Sequence, residues 1–147
     1  RTQLQNRGNV MEILYPMFAV ISLSGVMFLF LTIERVSLIF KHFRNLKAAK
    51  HSGELRPNLP SLGSNITNNY NHLFEQPTIF YALIIYIYLL QNADDIHIYI
   101  AWIYAGLRIL HSIVQMTTNY IPLRAGLFIC SGICLIAMIV REGLFLL

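Results

Sequence analysis

Five polar residues recur within one otherwise apolar stretch: Arg108, His111, Ser112, Gln115 and Asn119. Their spacings of three and four place them on one stripe of a helix. The other faces of Ala101 to Asn119 carry Ile103, Leu107, Ile109, Leu110, Ile113 and Val114. A guanidinium on such a helix is expensive in a bilayer, about 3 kcal/mol on insertion scales. Arg108 is therefore expected to face a bundle interior, a cavity or a bound anion. Arg56, Glu75 and Arg124 are expected near the same end of the bundle. Three arginines and one carboxylate, with several neutral donors, suit an anionic ligand that bears carboxylates and an amino group. The same residues allow a purely structural network, with a Glu75–Arg108 ion pair and with His111 and Gln115 satisfying backbone groups. Residue types leave both readings open.

Other chemistries lack their residues. There is no Cys/His cluster, no glycine-rich phosphate loop and no Ser/His/Asp arrangement, so no metal site, nucleotide hydrolysis or triad chemistry is expected. Cys130 and Cys134 stand four apart on a helix and read as small packing residues.

The elements that position the stripe follow from composition. The chain has 147 residues, 56% of them hydrophobic and 12% charged. A soluble domain carries about 25% charged residues. Mean hydropathy is +0.55. One domain is expected over 1–147, an all-α integral membrane protein built as a four-transmembrane-helix bundle. The net charge of +4 is no nucleic-acid signal. Six of the eleven basic residues (Arg35, Lys41, Arg44, Lys47, Lys50 and Arg56) fall in or beside one connection. The positive-inside rule places that connection in the cytoplasm.

Spans are expected at about 13–33, 73–90, 96–118 and 125–141, with a cytoplasmic loop at about 41–70. Arg1 to Val10 reads as a polar, frayed segment. The first apolar run is too long for a cleaved leader. Ile13 to Thr32 holds no charge and is long enough to cross a core of about 30 Å. The helix should run past Glu34 and Arg35 towards Lys50. Ser52-Gly53-Glu54 would end it, and Pro57 to Asn69 reads as loop. Glu75 and Pro77 open the second span. Gln91 to Asp95 is a short turn with two acids and no base, which suits the outer side. Pro122 and Arg124 mark the last turn, and Gly126, Cys130 and Cys134 form a small-residue ridge. Both termini then lie outside.

With these motifs in order, the chain resembles the membrane-associated proteins in eicosanoid and glutathione metabolism, the MAPEG family, and most of all its uncharacterised bacterial branch. The resemblance runs from Leu14 to Val140. It rests on Leu14-Tyr15-Pro16-Met17; on Ser52-Gly53-Glu54-Leu55-Arg56; on Asn69 through Leu73-Phe74-Glu75 to Pro77 and Phe80-Tyr81; and on Arg108, His111, Ser112, Asn119 and Arg124. It implies a four-helix protomer, a homotrimer, and glutathione held between subunits near the cytoplasmic face. Arg56, Glu75, Arg108, His111, Gln115 and Arg124 then stand where members contact glutathione, and Asn69 and His72 belong to the same motif. By this resemblance Arg56 holds a carboxylate, Glu75 takes the amino group, and Arg124 lies closest to the sulfur as the catalytic residue. A lipophilic substrate arrives laterally from the membrane lipids. The bacterial inner membrane is the implied location.

The chain also departs from the family. Gln115 stands where enzymes of the family often have tyrosine and the bacterial branch histidine. Ala125 replaces a serine, His72 an asparagine, and Thr118 a tyrosine of the bacterial branch. Gln115 donates hydrogen bonds but has no titratable proton. Two expectations follow: a glutathione-dependent enzyme of the transferase or peroxidase type, or a non-catalytic member that binds lipids or serves as an accessory subunit of a larger membrane complex. No repeat or broken helix pair points to a transporter.

Overall fold

The computed structural model describes the backbone of residues 3–42 and 61–146, and the side chains of residues 8–37 and 65–146. All regular structure among the described residues is helical: α1 (Gln3–Glu12), α2 (Leu14–His42), α3 (Ser61–His72), α4 (Gln76–Leu89), α5 (Asp95–Met116) and α6 (Ile121–Phe145). Arg44, Lys47, Lys50, Arg56 and Pro57 lie outside the described residues, as does Ser52-Gly53-Glu54.

Three stretches are long and apolar enough to cross a membrane: Gly8–Ser37, Asp95–Met116 and Ile121–Phe145, of 30, 22 and 25 residues. Their outward faces are apolar. On α6, Ile129, Ile133, Ile136, Val140 and Leu144 recur along one exposed side. That pattern suits lipid and not water.

Four sequence expectations change. The segment read as a frayed terminus is α1, whose Val10 is buried and whose Asn9 Nδ2 donates to Asp95 Oδ1 at 2.7 Å. The polar segment read as loop up to Asn69 is helical from Ser61. It is held by tertiary burial, since Ile66, Asn69 and Leu73 at spacings of three and four turn inward, Ile66 and Leu73 against Met27 and Leu31 and Asn69 against Ser112. The second span, expected from Leu73, becomes a 14-residue helix that starts at Gln76. Pro77 in its first turn lacks an N–H and disfavours helical backbone before it, so α3 and α4 are separated by a turn at 73–75. At about 1.5 Å per residue, α4 alone falls short of a 30 Å core. The third helix stops at Met116, and Asn119 sits beyond it with a left-handed backbone, φ 49°. Asparagine tolerates that conformation because its short polar side chain bonds locally.

α5 is central. It packs along α6 and also touches α2 and α3, and α4 lies against α2 and α6. The main core joins Ile13, Val20, Phe80, Ile84, Ile87, Ala101, Tyr104, Ala105, Leu135 and Met138. Phe80 and Tyr104 stack with ring centroids 4.2 Å apart. At the end of the bundle where α5 begins, polar contacts fasten the helices. Asp94 caps α5 by accepting from His97 N–H at 2.9 Å and also pairs with Arg141. The buried His97 ring lies between Asp94 Oδ1 at 2.9 Å and Glu142 Oε1 at 3.1 Å, and Asn92 Nδ2 donates to the same Glu142 oxygen. Neither ring nitrogen is aligned for a hydrogen bond.

Candidate functional site

The polar stripe of α5 turns inward at the opposite end. Arg108, His111, Ser112 and Gln115 are all buried, and Arg108 is the largest fully buried side chain. It lies about 12 Å along the axis from the end of α5, at 1.5 Å per residue. Only its Nη2 has a hydrogen bond, to the His72 carbonyl at 2.7 Å. Its Cζ lies 5.8 Å from the Phe128 ring centroid, within cation–π range. Nε and Nη1 have no partner among the described residues, nor do Asn69 Nδ2, His111 Nδ1, or the amide nitrogen and oxygen of Gln115. Most of these atoms are donors. Each buried donor without a partner costs about 1–3 kcal/mol, so the stripe favours a ligand rich in acceptors.

α3 meets this stripe. Ser112 Oγ donates to Asn69 Oδ1 at 3.2 Å, and the His72 and His111 rings approach at 6.2 Å between centroids. Phe128 lies 6.4 Å from the His72 ring and 6.3 Å from that of His111. Asn69, His72, Arg108 and His111, named from the sequence, are thus brought together.

Glu75 and Arg124 flank this group. Glu75 sits in the turn that opens α4, with its side chain 56% exposed, and Oε2 is 3.1 Å from His72 Nδ1. The sequence left open a Glu75–Arg108 ion pair. The geometry instead joins Arg108 to the His72 carbonyl and Glu75 to the His72 ring. Arg124 belongs to the first turn of α6, not to the connection before it, because Pro122 supplies the helix start. Its Nη1 donates to Asn119 Oδ1 at 2.7 Å, and Asn119 Nδ2 donates to Asn65 Oδ1 at 3.0 Å. The left-handed backbone of Asn119 lets one amide serve both partners. Arg56 lies outside the described residues.

Sequence reasoning missed Asn65, Gln76, Phe128 and Ser131. Asn65, Asn69 and His72 follow helical spacing, which is visible once that segment is treated as helix. Phe128 follows Arg124 by four residues and shares its face of α6. The cysteines are free. Of the small-residue ridge, Cys134 packs on the core, whereas Gly126 and Cys130 lie exposed. Among the described residues, no group of His, Cys, Asp and Glu could hold a metal ion.

The site is therefore a buried cationic stripe with surplus donors, bordered by a carboxylate on one side and an oriented guanidinium on the other. A family model described as the MAPEG family matches residues 13–144. No curated protein and no solved structure matches the chain.

Proposed function

The chain belongs to the MAPEG family, and from that premise we propose a membrane enzyme that binds glutathione and activates its thiol towards a lipophilic electrophile or lipid hydroperoxide. The three long apolar helices fit a multi-pass integral membrane protein. The fuller proposal is a homotrimer of four-span protomers in a bacterial inner membrane, with both termini outside. The observation that carries the reading is the surplus of buried donors on Arg108, Asn69, His111 and Gln115. They suit a tripeptide with two carboxylates and peptide carbonyls.

Each residue has a role. Glu75, exposed and paired with the His72 ring, receives the ligand's ammonium group. Arg108 supplies a fixed positive charge and two free N–H edges. Arg56 is assigned a carboxylate by family resemblance. Arg124, steered by Asn119, stands towards the sulfur. Glutathione supplies a thiol, whose thiolate is the nucleophile. Arginine holds its own proton at any working pH, so Arg124 stabilises the thiolate as a fixed charge and not as an acid. A free thiol titrates near about 8.5, and a cationic, partly desolvated site lowers that by a unit or more.

Calorimetric titration of glutathione into the purified protein in detergent, with a parallel thiolate absorbance scan, tests the reading. Saturable binding with thiolate absorbance near neutral pH is expected, and Glu75→Gln should weaken the binding. A folded protein that binds no glutathione at millimolar concentration refutes it. Gln115 favours a second reading: it occupies a tyrosine or histidine position with an amide that cannot titrate. Binding without thiolate formation or turnover would identify a non-catalytic member acting on lipids or within a larger complex.

A further inference from the structure

Gln76 stands between Glu75 and Pro77 at the start of α4, and its side chain crosses to α6. Its Nε2 donates to the Phe128 carbonyl at 3.3 Å. Its Oε1 accepts from Ser131 Oγ at 2.8 Å, and the same hydroxyl lies 2.8 Å from the Phe128 carbonyl. The single hydroxyl proton is therefore shared between two acceptors. Ser131 is fully buried. Gly132 makes room for the amide: a Cβ at that position would lie 3.1 Å from Gln76 Nε2, tighter than ordinary contact. An amide in apolar surroundings is costly unless both ends are paired. Here both ends are paired, and both partners lie on one turn of α6.

That turn also carries the Phe128 ring, which covers the Arg108 guanidinium. Arg124 lies one turn earlier on the same face. On the other side, Gln76 is bonded through the backbone to Glu75, whose carboxylate meets the His72 ring at 3.1 Å. The α3–α4 turn at 73–75 is also held by Leu73, buried in the core beside Met27 and Leu31, and by Phe74, whose ring lies 4.8 Å from that of Tyr70 and whose carbonyl accepts from Thr78 Oγ1.

We infer that Gln76 is a positioning residue: its amide, latched to Ser131 and the Phe128 carbonyl, sets the separation between Glu75 on α4 and the Arg124–Phe128 face of α6. The inference rests on the proposed glutathione site and deepens it. A tripeptide spans the two helices only when its ammonium partner and its thiol partner are held at a fixed distance. Gln76 touches neither end of the ligand and acts through Glu75.

The test is a double-mutant cycle on glutathione affinity, using the full chain in detergent. Gln76→Met keeps length and bulk and removes both hydrogen bonds. It should raise the glutathione Kd about tenfold, the size expected for losing a pair of neutral hydrogen bonds. KM should rise with it while kcat holds, because Arg124 is untouched. In a Glu75→Gln background the same change should cost little, since the group it positions is already gone. Ser131→Ala, the gentler second variant, should raise Kd by a smaller factor and show the same loss of effect when Glu75 is replaced. The inference is overturned if either variant binds like wild type, or if its effect is undiminished when Glu75 is absent, as a general loosening of the fold would give. Failure of wild type to bind glutathione is seen before any substitution and removes the proposed function together with the inference.

Discussion

Arg108 and Arg124 carry the same charge in different surroundings, and their substitution separates two effects. Arg124 sits in the first turn of α6, and its guanidinium donates to Asn119. As the fixed charge on the thiolate, its loss in Arg124→Ala should lower turnover by about 10²–10³, the scale for removing one preorganised donor. Glutathione affinity should change far less, and steady-state kinetics beside calorimetry checks the split. Asn119→Gly is a finer probe. Glycine accepts the φ of 49° without strain, so the turn survives while the amide that joins Arg124 to Asn65 is lost. Turnover should fall about tenfold; a variant as fast as wild type would mean that Asn119 does not steer the guanidinium. Arg108→Met asks whether the buried stripe is structural. A charge with two free N–H edges in an apolar bundle adds little stability, and an apolar side chain of similar volume is often neutral or stabilising. Arg108→Met should therefore melt no lower than wild type and bind no glutathione. A marked fall in melting temperature would instead favour the structural network.

At the scale of elements, the sequence was most legible where apolar periodicity was strong. The stripe on α5 could be read residue by residue, because spacings of three and four on an apolar background have one helical solution. The helix α3 could not. Ser61-Leu62-Gly63-Ser64-Asn65 and the asparagines that follow carry weak helix propensity, and the inward set Ile66, Asn69 and Leu73 is too sparse to stand out. Packing against α2 decides it. Likewise no local signal tells that Gln76 reaches Ser131 and Phe128, since that contact depends on where α4 and α6 lie. The fastening where α5 begins was also invisible, because Asp94 and His97 lie in one segment and Arg141 and Glu142 in another, and only the fold brings the two together. It has a pH signature. Burial pushes the Asp94 carboxyl up, but the His97 N–H bond and the Arg141 guanidinium outweigh it, leaving its pKa below the ordinary value of 3.8. A carboxylate with a depressed folded pKa stabilises fully above its unfolded value, and that contribution is lost as pH falls through the folded one. Asp94→Asn keeps a capping side chain but drops the charge. It should melt below wild type at neutral pH, with the gap closing below about pH 4. A gap undiminished as pH falls from neutral to 3 would show that the charge of Asp94 does not hold these helices.

At the scale of the whole molecule, one protomer leaves its site open at the edge. Glu75 is more than half exposed, although it borders a stripe in which Arg108 and Gln115 are fully buried. The bundle also leaves long apolar faces uncovered, from Phe18 through Phe28 and Leu29 to Ile33 on α2 and along Ile129, Ile133 and Ile136 on α6. Lipid covers such faces, and so does a neighbouring helix, and the proposed trimer assigns part of them to neighbours. The Gln76 latch joins the Glu75 and Arg124 sides of one chain, so both residues of a site come from one protomer, with the neighbour supplying only a covering wall. Co-expression of Glu75→Gln with Arg124→Ala tests this directly. Neither variant alone is expected to turn over glutathione efficiently. With both residues of a site on one protomer, every site in the mixture lacks one of them, and the activity should stay at the level of the separate variants. If the two residues came from different protomers, random mixing in a closed ring would restore both to roughly a quarter of the sites. Activity of the mixture would then recover towards that fraction of wild type, at unchanged total protein, and the one-protomer site would be overturned together with the role of its latch. The mixture therefore reports where the site is built, and it does so without a measurement of oligomer mass in detergent, where bound lipid and micelle obscure the count.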